Sequence, residues 1–288
     1  MHFLVAESEP AEARRRRRDS VGRSSGETFV DVLTEIVPGA VCHRITPADA
    51  GARLPARAAL AGYDAILLTG SPLHVYDDTP EVRRELDFMR AVFRSGTPAF
   101  GSCAGLQIAV MAAGGKVRAM GARREAGLAR RITPTAKGHA HPLLRGRPLA
   151  WDAPAIHSDE VEELPAGATL LATNSMTRVQ AAEIRFEGGT FWGVQYHPEI
   201  TLAEVAAALR RQAGDLVEHK LARDGSDVEA SAALYDELHG DPGRTDLAWR
   251  LGLDAEVTEA PRRQRELRNF IEHIVRRTEH GSMAAAAS

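Results

Sequence analysis

Between residues 97 and 113 the chain reads TPAFGSCAGLQIAVMAA, and Gly114 and Gly115 follow. The order of residue types predicts a short apolar strand over 97–101, a sharp turn carrying Cys103, and a helix over 104–113 that the two glycines stop. A cysteine at a strand-to-helix turn, with glycines two residues to either side, is the G-x-C-x-G form of the nucleophile elbow. Glycines there let the backbone turn sharply and let neighbouring elements come close. The helix N-terminus favours the thiolate, which is the form that attacks.

The rest of the first half fits a layered α/β fold around that turn. Residues 3–6 and 41–45 read as short strands. The AILLT run at 65–69 is continuous apolar, as expected of a strand buried on both faces. Ser24 and Glu27 have capping-box spacing ahead of Phe29, Val32, Leu33 and Ile36 at helical period, with Pro38 and Gly39 as the stop. Thr79 and Pro80 read as N-cap and first helical residue of a helix to about 94. This alternation predicts an open, mostly parallel sheet with helices on both faces. Residues 7–26, with arginine at every position from 14 to 18, read as an exposed loop with a helical portion; contact with an anionic ligand is the sharper alternative.

The second half changes character. Strands are predicted at 131–133, 149–151, 169–172, 179–186 and 190–195, with a hairpin turn at 187–189. From Thr201 the pattern is helical, with a second capping-box spacing at Thr201 and Glu204. A last strong helix over 261–277 places Leu267, Phe270, Ile271 and Ile274 on one face, read as core packing, with a homodimer interface as the alternative. The expected division is an α/β domain over 1–209, a helical extension over 210–282, and a low-complexity, disordered tail over 283–288.

Composition mostly excludes. The net charge of -3 gives no global basic field, so no nucleic-acid partner is expected. No run of eighteen apolar residues occurs, so no membrane span is expected. The only cysteines, Cys42 and Cys103, are too few for a disulfide framework. With no secretory pattern at the N-terminus, a cytoplasmic enzyme is the expectation. Cys42 reads as a buried structural thiol. His139 and His141 form an H-x-H without further ligands, so neither a metal site nor a cofactor is expected.

Two further motifs complete a chemical unit. In the segment Gly193-Val194-Gln195-Tyr196-His197-Pro198-Glu199, His197 and Glu199 are two apart in extended chain, so both side chains can point one way. His197 can accept the Cys103 proton and return it to a leaving amine, while Glu199 orients and stabilises the imidazolium. The loop Thr69-Gly70-Ser71-Pro72 follows the AILLT strand, at the carboxyl end where open α/β sheets bind ligands. An N–H from that loop, with the N–H of Ala104, can form an oxyanion hole.

The TGSP loop, the GSCAGLQ elbow and the GVQYHPE block, in that order and spacing, resemble a class I, triad-type glutamine amidotransferase domain over about residues 3–209, similar to the glutaminase half of GMP synthase. The segment Ala155-Ile156-His157-Ser158-Asp159-Glu160-Val161 is similar to that family's glutamine-site strand and loop. The resemblance implies a flavodoxin-like sheet and hydrolysis of the glutamine side-chain amide through a γ-glutamyl thioester on Cys103. It implies His197 and Glu199 as the other triad members, and Gly70, Ser71 and Ala104 as oxyanion donors. Gln107, Ser158 and Asp159 would contact glutamine, the last two at its α-amino and α-carboxylate ends. The chain has no Gly-rich ATP-binding loop, so ammonia would pass to a synthetase on a separate chain. Two departures stand out. Ser71 replaces a common glycine, so a positive φ there would be strained. Ala104 replaces a common aromatic residue, which would leave room for a γ-glutamyl amine or conjugate as substrate. The remaining alternative is a catalytically idle regulatory subunit.

Overall fold

A computed structural model describes residues 1–274 of the chain. Its strands are β1 (His2–Ala6), β2 (Val41–Ile45), β3 (Ala65–Leu68), β4 (Ala99–Ser102), β5 (Lys116–Ala119), β6 (Glu125–Pro134), β7 (Trp151–His157), β8 (Asp159–Glu163), β9 (Ala168–Thr173), β10 (Ala181–Phe186) and β11 (Gly189–Val194). Nine of them form one sheet in the order β2-β1-β3-β4-β11-β10-β9-β6-β7. The half from β2 to β11 is parallel, and the rest is antiparallel.

The parallel half is buried on both faces because its side chains alternate between two cores. Phe3, Val5, Leu67 and Phe100 share one with Phe29 and Leu33 of the helix Ser25–Ile36. Leu4, Ile66 and Leu68 share the other with Phe88, Met89 and Val92 of the helix Pro80–Ser95, and with Leu106 and Val110 beyond the elbow. Both expected helix starts are built: Ser24 and Glu27 close a reciprocal capping box, and Thr79 caps the Val82 N–H ahead of Pro80. Leu267, Phe270, Ile271 and Ile274 lie in the first core, so that face is packed against the sheet and is no dimer surface. The helix expected from about 261 is present, but a turn at Gln264 splits it into a short helix Ala260–Arg263 and a run from residue 265 onward. The expected helix end at 275–277 and the tail at 283–288 lie outside the described residues.

Other expectations need correction. The arginine run lies within the helical portion, Ala11–Val21, but is not wholly exposed: Arg14 is buried against Asp49, and Arg17 reaches Glu204 at 2.8 Å. β6 and β7 are far longer than the short strands predicted near 131 and 149. β7 accommodates Pro154 because it is an edge strand, where a missing N–H is tolerated. β5 and β8 escaped prediction because they carry charge where an apolar pattern was sought. They pair outside the main sheet, tied by Lys116–Glu163 at 2.7 Å and Arg118–Glu160 at 3.0 Å. Cys42 is only partly buried.

Glu85 of the helix Pro80–Ser95 is an acid inside the second core region. It is 1% exposed, accepts Ser8 Oγ at 3.1 Å, and has no partner for Oε1. Burial raises its pKa to about 7, and the Ser8 hydroxyl works against that rise. A carboxyl group that holds its proton more tightly when folded stabilises fully below its unfolded pKa, and that stability is lost as pH rises toward 7. Above pH 7 the loss approaches about 3 kcal/mol. Glu85→Gln is therefore expected to gain stability over the parent progressively from about pH 5 to pH 7 in urea titrations, and to hold that gain at higher pH. A pH-independent difference would rule this out.

Candidate active site

The elbow forms as the sequence predicts, and it is strained. β4 ends at Ser102, Cys103 takes φ 52 and ψ -113, and the helix Ala104–Ala112 begins at once. Few non-glycine residues adopt such a backbone, and those that do cluster at functional sites. The Cys103 N–H donates to Val194 O at 2.8 Å, which fixes the turn to the end of β11. Gly105 is required by packing: a Cβ there would lie 2.6 Å from Leu68 O, so only glycine lets the helix settle on β3.

β11 runs parallel to β4, with Val194 opposite Ser102, so the segment after it emerges beside the elbow. Pro154 O of β7 accepts the His197 N–H at 2.7 Å and sets the imidazole's height. His197 Nδ1 then meets Glu199 Oε1 at 2.7 Å, which leaves the ring's other nitrogen for Cys103, close enough to favour the charged imidazole. Ser102 Oγ donates to the same Glu199 oxygen at 2.9 Å. Burial alone would lower the His197 pKa, but the Glu199 carboxylate and Cys103 outweigh it and hold the pKa at about 10. The three side chains thus sit together as a thiol, an imidazole that favours its charged form, and a buried carboxylate.

The TGSP loop closes over this group. A Cβ on Gly70 would lie 2.8 Å from His197 Cε1 and 3.7 Å from Cys103 Cβ, so the loop's close approach requires glycine. Ser71 is not strained, contrary to the expectation, because it is not among the positive-φ residues. Its hydroxyl instead donates to Ser8 O at 2.8 Å and accepts the Leu73 N–H at 3.2 Å, which pins the loop. Among the described residues, no hydrogen bond uses the N–H of Gly70, Ser71 or Ala104. Ala104 itself is buried and is not on the cavity wall.

Above Cys103 lies a cavity of about 500 Å³. Gln107, Ser158 and Asp159 are all on its wall, with Gly70, Ser71, His197 and Glu199. Gln107 is 2% exposed and donates to Asp159 O at 3.1 Å and Gln195 Oε1 at 3.2 Å. The Asp159 carboxylate takes His74 Nδ1 at 2.7 Å and the Tyr76 hydroxyl at 3.2 Å. Sequence reasoning missed His74 and Tyr76; their only signal was a position just beyond the TGSP loop. It also missed Arg124 and Arg211, which line the same cavity with Arg16 and Arg17 of the arginine run, so that three distant segments converge there. His141 is occupied elsewhere, with Nε2 3.1 Å from Glu183 and Nδ1 accepting the Leu143 N–H.

An open α/β sheet with a strained cysteine at the strand–helix elbow, and a buried His–Glu pair beside it, defines a protein of the nucleophile-elbow class. The chain belongs to the class I glutamine amidotransferase family, which it matches over residues 41–213, and whose members are enzymes that hydrolyse C–N amide bonds. It is 38% identical to the gamma-glutamyl-L-1-hydroxyisopropylamide hydrolase of a Pseudomonas species, over 75% of this chain and 74% of that one. It is 34% identical to the glutamine-hydrolyzing GMP synthase of Leifsonia xyli over 62% of its own length, but spans only 32% of that synthase. In fold it is similar to a glutamine amidotransferase from Thermotoga maritima, with a TM-score of 0.63 at 17% identity over 95% and 97% of the two chains. A second solved glutamine amido transferase, from Methylobacillus flagellatus, gives 0.60 at 18% identity over 94% of each. Among the described residues, no helix is long and apolar enough to cross a membrane.

Proposed function

We propose that this chain hydrolyses the amide of a γ-glutamyl group, with glutamine as the first substrate, through Cys103, His197 and Glu199. The observation that carries the reading is His197 held between the Cys103 thiol and Glu199 Oε1, the latter at 2.7 Å. The Cys103 thiolate attacks the side-chain carbonyl carbon, and N–H groups of Gly70, Ser71 and Ala104 receive the developing oxyanion. His197 gives its proton to the nitrogen, the C–N bond breaks, and ammonia leaves behind a γ-glutamyl thioester. Water then attacks the thioester, His197 takes a proton from it, and glutamate departs as the thiolate re-forms. Gln107, Ser158 and Asp159 hold the glutamyl portion. The ammonia passes to a synthetase on a separate chain.

A second reading keeps the chemistry and changes the leaving group to an alkylamine. It is favoured by a cavity that continues past Cys103 to Arg16 and Arg211, and by the similarity to a γ-glutamyl amide hydrolase across three quarters of both chains. The test is glutamate release by the purified chain from glutamine and from γ-glutamyl alkylamides, compared as kcat/KM. A preference for alkylamides above about 100-fold, near 2.7 kcal/mol, selects the second reading; a comparable or greater value for glutamine selects the first. Turnover of neither, with no adduct on Cys103 from a diazoketone analogue of glutamine, overturns both and leaves the idle subunit.

A further inference from the structure

Arg124 immediately precedes β6, whose ladder pairs Ala126 with Ile156 and Glu125 with His157 of β7. The next position on that register sets Arg124 opposite Ser158, two pairs beyond Ile156, whose carbonyl lies 3.9 Å from the Cys103 sulfur. Two pairs span roughly 7 Å of strand, comparable with the reach of an extended glutamyl chain from its side-chain carbonyl to the groups on its α-carbon. Arg124, Ser158 and Cys103 all line the one cavity.

The Arg124 side chain is only 9% exposed, and its nearest carboxylate, Asp215, is 3.7 Å away, beyond hydrogen-bond distance. Its hydrogen-bond partner is neutral. His219 Nδ1 must donate to Asp215 O at 2.9 Å, so Nε2 carries the lone pair that accepts Arg124 Nη2 at 3.0 Å. A largely buried guanidinium without a hydrogen-bonded carboxylate retains both charge and donors for a ligand, and its planar fork suits a carboxylate. The other wall arginines differ: Arg17 is paired with Glu204 at 2.8 Å, and Arg16 and Arg211 are exposed. Asp159, which follows Ser158 on the same wall, suits the opposite charge, the α-ammonium group.

We infer that Arg124 binds the α-carboxylate of the γ-glutamyl substrate, and that His219 and Asp215, contributed by the C-terminal helices, position it there. The assignment rests on the γ-glutamyl reading above and gives those helices a part in substrate selection.

Labelling of Cys103 in the full chain separates the two ideas. The probes are 6-diazo-5-oxo-L-norleucine, which carries the α-carboxylate, and iodoacetamide, which does not. Arg124→Met is expected to slow the diazoketone about 100-fold and leave iodoacetamide alkylation at the parent rate. Arg124→Lys should recover part of the loss, and His219→Ala should slow only the diazoketone, by about 10-fold. Equal slowing of both reagents, or of neither, overturns the assignment. A parent protein that takes up iodoacetamide but never the diazoketone instead removes the γ-glutamyl reading, and the assignment with it.

Discussion

Cys103→Ala is expected to lower turnover of the preferred γ-glutamyl amide by at least about 10⁴-fold without loss of the fold. No neighbour can replace the thiol. Ser102, the adjacent hydroxyl, is fully buried and donates to Glu199 Oε1, so it faces away from the substrate space. The same position carries a second, opposite expectation for stability. A non-glycine residue at φ 52 and ψ -113 costs on the order of 1–3 kcal/mol, and glycine is free of that cost. Part of the gain is offset by the greater chain entropy that glycine loses on folding. Cys103→Gly should therefore be inactive yet more stable than Cys103→Ala by about 1 kcal/mol in urea unfolding. An alanine variant that keeps a tenth of the activity sinks the covalent route, and a glycine variant no more stable than alanine removes the claim of stored strain.

The elbow was legible because strand, glycines, cysteine and helix are contiguous, so local pattern alone determines the turn. The GVQYHPE block was legible as a motif, but its meeting with Cys103 depends on β11 pairing with β4, a long-range register that no periodicity reveals. His74, Tyr76 and Arg124 were invisible for the same reason: each is one polar residue in a loop or at a strand start, and only the fold converges them. The Ser71 expectation failed because a serine can satisfy a loop with its hydroxyl where a glycine would use backbone freedom. The arginine run misled because polar composition was taken as exposure, whereas Arg14 and Arg17 are buried or half-buried through acids more than thirty residues away.

Glu199→Gln is expected to lower kcat/KM by about 10²- to 10⁴-fold and to move the alkaline limb of its pH profile toward acid by at least about one pH unit. Burial by itself depresses the His197 pKa, and Glu199 is the first of the contributions that raise it, to about 10. With the carboxylate neutralised, burial prevails, so the imidazolium that protonates the leaving nitrogen is lost at lower pH. The amide adds a tautomer fault. Nδ1 now donates to Glu199 Oε1, whereas an amide nitrogen turned toward the ring would require Nδ1 to accept. The ring proton would then sit on the nitrogen facing Cys103, where it can no longer act as a base. Ser102 Oγ, which donates to the same carboxylate oxygen, favours an oxygen remaining there and so limits that fault to part of the population. The pH shift and the drop in rate are thus separable: a glutamine variant slowed by 10²-fold or more with its alkaline limb unmoved would show that Glu199 orients His197 without sustaining its charge.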